Sequence, residues 1–285
     1  MYWQTSRFRI DLTQPRVMGI VNVTPDSFAE SDPAEEAGKA IARCKRLVAE
    51  GADLLDIGGE STRPGAACVP VELEQARVLP VLAAALGLGV PVSVDTRTPA
   101  VMRAALALGA DIVNDIEALR AHGALDAVAT HPSCGVCLMH MQGEPGRMQQ
   151  KPSYGDVVAE VAAFLRERRA AVEARGVSPE RIVLDPGIGF GKTPAHNLEL
   201  LRRQHELLAI GRPLLVGWSR KSTLGVVTGR PVHERVSASV AAALAAVARG
   251  ARIVRVHDVA ATVDALRVWK AAGLPTHNPQ DSGTS

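Results

Sequence analysis

The chain reads as a single α/β domain of the (β/α)8 TIM barrel class, with a short strand or hairpin ahead of the barrel. Three observations predict this. Eight short apolar runs are spaced along the sequence, and stretches of helical character separate them. The polar residues suited to chemistry follow the runs, while the turns leading into several of them are small, as at Gly51-Ala52, Gly109-Ala110 and Gly250-Ala251. Strands alternating with helices pair in parallel through right-handed crossovers. Eight such units close more naturally into a barrel than into an open doubly wound sheet, and active sites of barrels lie at the C-terminal strand ends.

Arg7–Leu12 comes first, alternating polar and apolar residues, and is expected to close the barrel floor. The boundaries that follow are 1–15 for this segment, 16–273 for the barrel and 274–285 for a polar tail expected to be disordered. The eight strands are Val17–Val21, Asp53–Ile57, Pro91–Val94, Ile112–Val113, Val136–Met139, Ile182–Leu184, Leu214–Val216 and Ile253–Val256. Continuous apolar runs of this kind are what strands buried on both faces require. Helical character marks Ala34–Glu50, Val71–Leu86, Pro99–Leu108, Asp156–Arg175, Asn197–Leu208, Glu234–Arg249 and Ala260–Ala271. No Gly-x-Gly-x-x-Gly opens the first helix, which argues against a dinucleotide fold.

Composition narrows the function. Apolar residues make up 47% of 285, enough for a large core, and the net charge of +2 gives no case for nucleic acid. The small apolar run Ala238–Ala248 is too short to span a bilayer, and residues 1–15 lack a signal peptide's apolar stretch, so a soluble cytoplasmic protein is expected. Cys134 and Cys137 have C-x-x-C spacing, but residues three apart on a strand face opposite sides, which favours packing over a metal or redox pair.

The strand ends carry Asn22-Val-Thr-Pro-Asp-Ser-Phe28, Gly58–Gly65, Asp95-Thr-Arg97, Asn114-Asp115, His140-Met-Gln142, Asp185–Lys192, Ser219-Arg-Lys-Ser222 and Arg255-Val-His257-Asp258. Arg63, Lys221, Arg255 and His257 suit an anion, and the loops after strands seven and eight are frequent phosphate sites in barrels. Asp95, Asn114 and Asp185 suit a ring bearing several N–H groups. The ligand is therefore expected to be bipartite, a flat nitrogen heterocycle at one end and phosphate at the other. Asp56 should point into the barrel and support Asn22 without touching ligand. Asp115 and the Arg220 ion pair read as structural, Arg97 as a brace of the third loop, and His122, His131 and His140 as loop or packing residues.

At this level of detail the motifs resemble those of bacterial dihydropteroate synthases. Asn22–Phe28, Gly58-Gly-Glu-Ser-Thr-Arg-Pro-Gly-Ala66, Asp185-Pro-Gly-Ile-Gly-Phe-Gly-Lys192, Ser219–Ser222 and Arg255–Asp258 stand in the family's order, and the match runs from about Arg16 to Lys270. The resemblance implies a sulfonamide-target transferase of folate biosynthesis. Its reaction joins 6-hydroxymethyl-7,8-dihydropterin pyrophosphate to 4-aminobenzoate, giving 7,8-dihydropteroate and pyrophosphate by an SN1-like step. It implies pterin binding by Asp95, Asn114, Met139, Asp185, Lys221 and Arg255. Pyrophosphate would be held by Asn22, Arg63, Arg255 and His257, with Mg2+ on Asn22, and 4-aminobenzoate by Thr62, Pro64, Phe190, Lys221 and Ser222. Asp95, Lys221, Arg255 and Arg63 would be the catalytic set. Val236–Ala248 is apolar nearly all round, so the helix 234–249 is expected to be covered on its outer side in a homodimer, in keeping with the family. A pterin-dependent methyltransferase, the nearest rival, leaves Thr62-Arg63-Pro64 and Ser219–Ser222 unexplained. Three departures from the family stand out: Glu30–Pro33 where Asp-Gly-Gly is common, Ile188 in place of an aromatic, and Trp218 before the Ser-Arg-Lys motif.

Overall fold

The computed structural model describes residues 1–24, 33–61 and 69–274. Two short strands, β1 (Tyr2–Gln4) and β2 (Arg9–Asp11), pair antiparallel. Eight more follow: β3 (Arg16–Asn22), β4 (Leu54–Gly58), β5 (Val92–Asp95), β6 (Ile112–Asp115), β7 (Gly135–Met139), β8 (Ile182–Asp185), β9 (Leu214–Val216) and β10 (Ala251–Val256). All their pairings are parallel, and they close into a barrel in chain order, with β10 returning to β3. The helices among the described residues are α1 (Pro33–Ala49), α2 (Val71–Ala85), α3 (Pro99–Leu108), α4 (Ala124–Ala129), α5 (Val157–Ala174), α6 (Pro194–Arg202), α7 (Ser222–Thr228), α8 (Val236–Ala248) and α9 (Val259–Ala271). Together these elements form a (β/α)8 barrel.

The expected helix Asn197–Leu208 is divided. Pro194 occupies the first turn of α6, and Thr193 and His196 cap it reciprocally, which moves the start upstream. α6 stops at Arg202, and Gln204–Ile210 continues as a tighter 3-10 turn. The short helices α4 and α7 have too few residues to show a periodic apolar pattern, so the sequence gives no signal for either.

Side chains pack in two layers. Outward-facing strand residues such as Leu55, Val94, Val113, Val136 and Leu184 meet the helices in one large cluster. Inward-facing Met18, Leu54, Ile112, Cys137, Val183, Leu215 and Ile253 form a second cluster with Trp3, Phe8, Ile10 and Leu12 of the N-terminal hairpin. The hairpin therefore supplies the apolar residues that cover the barrel floor. Cys137 lies inside the barrel and Cys134 in the outer layer, as their spacing requires.

Polar contacts fix the hairpin's position. Arg7 donates to buried Asp111 through its backbone N–H at 3.1 Å and its guanidinium at 3.0 and 2.6 Å. The fully buried Trp3 donates its indole N–H to the Arg181 carbonyl at 2.8 Å. Trp3→Phe keeps most of the ring burial and leaves that carbonyl without its indole donor. Urea unfolding should show a loss of about 1–2 kcal/mol, with the m-value unchanged.

Candidate active site

The site follows from the period of two along a strand. Leu54, Ile112, Cys137, Val183 and Ile253 all face the barrel axis in the floor layer. Two residues further along the same strands stand Asp56, Asn114, Met139, Asp185 and Arg255. One strand repeat thus converts an apolar floor into a polar chamber, and Asp95 at the end of β5 completes its rim.

Arg255 organises this chamber. Its Nε donates to Asp56 Oδ2 at 2.5 Å and its Nη2 to Asp95 Oδ2 at 2.6 Å. Asn114 donates its Nδ2 to the same Asp56 oxygen at 3.0 Å. Asp56 is fully buried, and its partners are Asn114 and Arg255, not Asn22 as the sequence suggested. In parallel register Asp56 lies beside Ile20, while Asn22 lies beside Gly58 one repeat higher, which explains the difference. Burial raises Asp95's pKa and the Arg255 guanidinium opposes that rise.

The loop after β8 forms one wall. Asp185 is buried and accepts the Gly187 N–H at 2.7 Å. Burial raises its pKa, and the charge of Lys221 acts against that. Lys192 at the loop's end is buried among the carbonyls of Gly187 and Phe190, at 3.0 and 3.1 Å, and lies 2.8 Å from His140 Nδ1. That knot makes His140 a packing residue, as expected. Lys221 reaches the Ile188 carbonyl and stands 4.7 Å from the Phe190 ring centroid. Burial pulls its pKa down to about 8, with Asp185 opposing. Met139 packs with Ile116, Met141, Met148 and the half-buried Phe190 into a small apolar patch on this wall.

At the mouth, Asn22 ends β3 with its side chain exposed, and Ser222 opens α7, also exposed. Ser219 Oγ lies 3.0 Å from His257 Nδ1 and accepts the His257 N–H at 3.1 Å. The sequence reading counted His257 among the cationic groups. Burial first, then the Arg255 guanidinium, push its pKa down to about 3, so the imidazole is neutral at pH 7 without ligand. Thr62, Arg63 and Pro64 lie outside the described residues, as does the loop departure at Glu30–Asp32.

Supporting residues behave largely as the sequence suggested. Arg97 bridges Glu60 at 3.1 Å and Glu117 at 3.0 Å, tying the loops after β4, β5 and β6 together. Arg220 pairs with Asp258 at 2.5 Å, and Asp115 accepts the N–H groups of Glu117 and Leu119 at 2.8 and 2.7 Å. Sequence reasoning missed the chamber role of Asp56 and the Lys192–His140 knot. Aligning the strands by their period of two would have placed Asp56 level with Asn114 and Arg255.

A closed barrel with three carboxylates, an amide, an arginine and a lysine converging at its C-terminal end has the layout of a barrel enzyme's active site. The family model for pterin binding enzymes matches residues 18–257. The dihydropteroate synthase of Neisseria meningitidis serogroup B is 56% identical over 278 residues, 95% of this chain and 98% of the other. The structure of dihydropteroate synthase from Stenotrophomonas maltophilia with active site-bound imidazole superposes with a TM-score of 0.88 at 53% identity, covering 96% of this chain and 100% of that one. The Burkholderia cenocepacia enzyme complexed with 7,8-dihydropteroate gives 0.87 at 52% identity, covering 95% and 96%. The chain belongs to the dihydropteroate synthases, a family of transferases within the pterin-binding barrel enzymes.

Proposed function

We propose that this chain condenses 6-hydroxymethyl-7,8-dihydropterin pyrophosphate with 4-aminobenzoate, in the cytoplasm, giving 7,8-dihydropteroate and pyrophosphate. The observation that carries the reading is the convergence of Asp95, Asn114 and Asp185 with Lys221 and Arg255 on one chamber. Carboxylates and an amide oxygen meet the pterin's N–H groups, and Lys221 meets a ring acceptor. Met139 and the Arg255 stem pack against the ring faces. A dihydropteroate-bound relative and the Xanthomonas albilineans enzyme with 4-aminobenzoic acid, 53% identical, support the same pairing of ligands.

In this reading the pterin methylene–oxygen bond breaks first, and its electron pair leaves with pyrophosphate. The ring-delocalised cation that remains is stabilised by the nearby carboxylates, Asp95 foremost. The arylamine nitrogen lone pair then forms the new C–N bond, and one amine proton passes to solvent. Positioning and exclusion of water carry the rate, because the arylamine is a weak nucleophile. Arg63, Arg255 and His257 hold the departing anion, and Thr62, Pro64, Phe190, Lys221 and Ser222 shape the aminobenzoate site.

Among the described residues no group of three or more His, Cys, Asp or Glu is placed to hold a metal ion. The exposed amide of Asn22 at the strand end offers one oxygen. That fits Mg2+, which takes few protein ligands and keeps phosphate oxygens and waters. When bound there it would neutralise charge on the leaving pyrophosphate. The test is pyrophosphate release with and without 4-aminobenzoate and Mg2+, alongside mass detection of dihydropteroate. Pterin binding without product would overturn the synthase reading.

The pH profile follows from three buried groups, Lys221, Asp95 and Asp185. Above about 8, Lys221 loses its proton and with it the positive charge beside Asp185. Burial raises the Asp95 and Asp185 pKa values, so they protonate on acidification before exposed carboxylates do and lose acceptor strength. kcat/KM for the pterin substrate should therefore be bell-shaped. A profile flat from about pH 7 to 9.5 would refute the Lys221 assignment.

The expected dimer has a surface to use. α8 buries Ser239, Ala242, Ala243, Ala246 and Val247 against the barrel, leaving Ser237 and Ala241 exposed and Val240 and Leu244 partly so. Val226, Val227 and Val232 nearby are 69%, 59% and 51% exposed. An apolar face of this kind supports the dimer reading. Light scattering at micromolar concentration should give twice the chain mass of 30.1 kDa, and Leu244→Glu should give the monomer.

A further inference from the structure

Asp56 has no part in the roles above, yet it holds two of the groups that do. Its Oδ2 accepts from Asn114 Nδ2 at 3.0 Å and from Arg255 Nε at 2.5 Å. Its other oxygen, Oδ1, is buried with no hydrogen-bond partner among the described residues, and so is the Oγ of Ser93, its register neighbour on β5. Two unsatisfied buried polar atoms on neighbouring strands disfavour the fold. Their place in the layer just above the apolar floor ties them to the ligand chamber rather than to packing.

The consequence lies in the Asn114 amide. A primary amide has a donor end and an acceptor end, and the network around it decides which faces where. Because Asp56 can only accept, it draws Nδ2 to itself and turns the Asn114 oxygen away. We infer that Asp56 is a positioning residue that sets the selectivity of the site: it orients Asn114 as an acceptor, so that the chamber favours a heterocycle presenting N–H groups over one presenting bare ring nitrogens. The inference rests on the proposed pterin reading and deepens it. Asp56 also engages Arg255 through Nε, leaving Nη2 for Asp95.

The experiment is calorimetric titration of the dihydropterin pyrophosphate, with Mg2+, into wild type, Asp56→Asn and the swap Asp56→Asn/Asn114→Asp. In the single variant an amide replaces the obligate acceptor, so Asn114 is free to turn, and affinity should fall about 30-fold while the KM for 4-aminobenzoate moves less than about 3-fold. In the swap, the new Asn donates to the new Asp, which again shows an oxygen to the ligand, and affinity should return to within about 5-fold of wild type. A single variant that binds as wild type does, or a swap no better than the single variant, overturns the inference. Should Asp56→Asn fail to fold, 15N-labelled asparagine in the wild type still decides. Asn114 Nδ2 protons that stay protected when the pterin binds support it, and protons released from Asp56 overturn it. Binding is read here without turnover, so wild-type product formation tests the synthase reading separately.

Discussion

Lys221→Ala is expected to lower kcat/KM for the pterin substrate by about a thousandfold or more, with the fold retained. Two losses combine. The substrate loses a charged donor in a low-dielectric site, which alone is worth about 10²–10³ in rate. Asp185, buried and with its pKa already raised, also loses the cation that most strongly opposes the rise. Its pKa would rise further, so it would take up a proton at a higher pH than in the wild type and lose strength as an acceptor for ring N–H groups. The backbone has little reason to change. Lys221 precedes the first residue of α7 and contributes no side-chain cap, so truncating it leaves the helix start intact. Pyrophosphate release gives the rate, and a melting curve matched to wild type shows that the loss is local. A fall of less than about tenfold would remove Lys221 from the chemistry.

Much of this was legible in the chain itself, for identifiable reasons. A strand buried on both faces must be apolar at every position, so its end is marked where polar residues begin, and Asp95, Asn114, Asp185 and Arg255 stand at those points. Pairing is another matter, because it depends on register between strands far apart in sequence. Asp56 and Asn114 are separated by 58 residues and Arg255 lies a further 141 away, yet all three meet one level above the floor. A reading strand by strand sees an acid facing inward and assigns it the nearest neighbour, Asn22. Protonation states were illegible for a related reason. Grouped with Arg63, Lys221 and Arg255, His257 looks cationic, but burial and then the charges of Arg255, Arg220 and Arg43 keep it neutral.

Gly187→Ala and Gly191→Ala should each unfold or severely destabilise the β8–α6 loop, with loss of at least about 4 kcal/mol and of activity. Both residues have left-handed backbones, with φ of +68° and +61°, where a side chain alone costs about 1–2 kcal/mol. Space is the larger obstacle. A Cβ at 187 would run into the carbonyl oxygen of His140, and one at 191 into the carbonyl oxygen of Gln142. Those obstacles are backbone atoms of the loop after β7, so no rotamer change relieves them. The two loops would have to separate, withdrawing the Gly187 N–H from Asp185 and breaking the Lys192 knot that secures Phe190. Gly146→Ala is the control, because a Cβ there meets nothing within 4 Å. Chemical unfolding of the three variants, with pyrophosphate release on those that fold, separates the outcomes. If Gly187→Ala matches Gly146→Ala in stability, the close approach of the two loops does not govern the site; if it is destabilised and loses aminobenzoate turnover first, the loop contact is what holds the wall of the chamber in place.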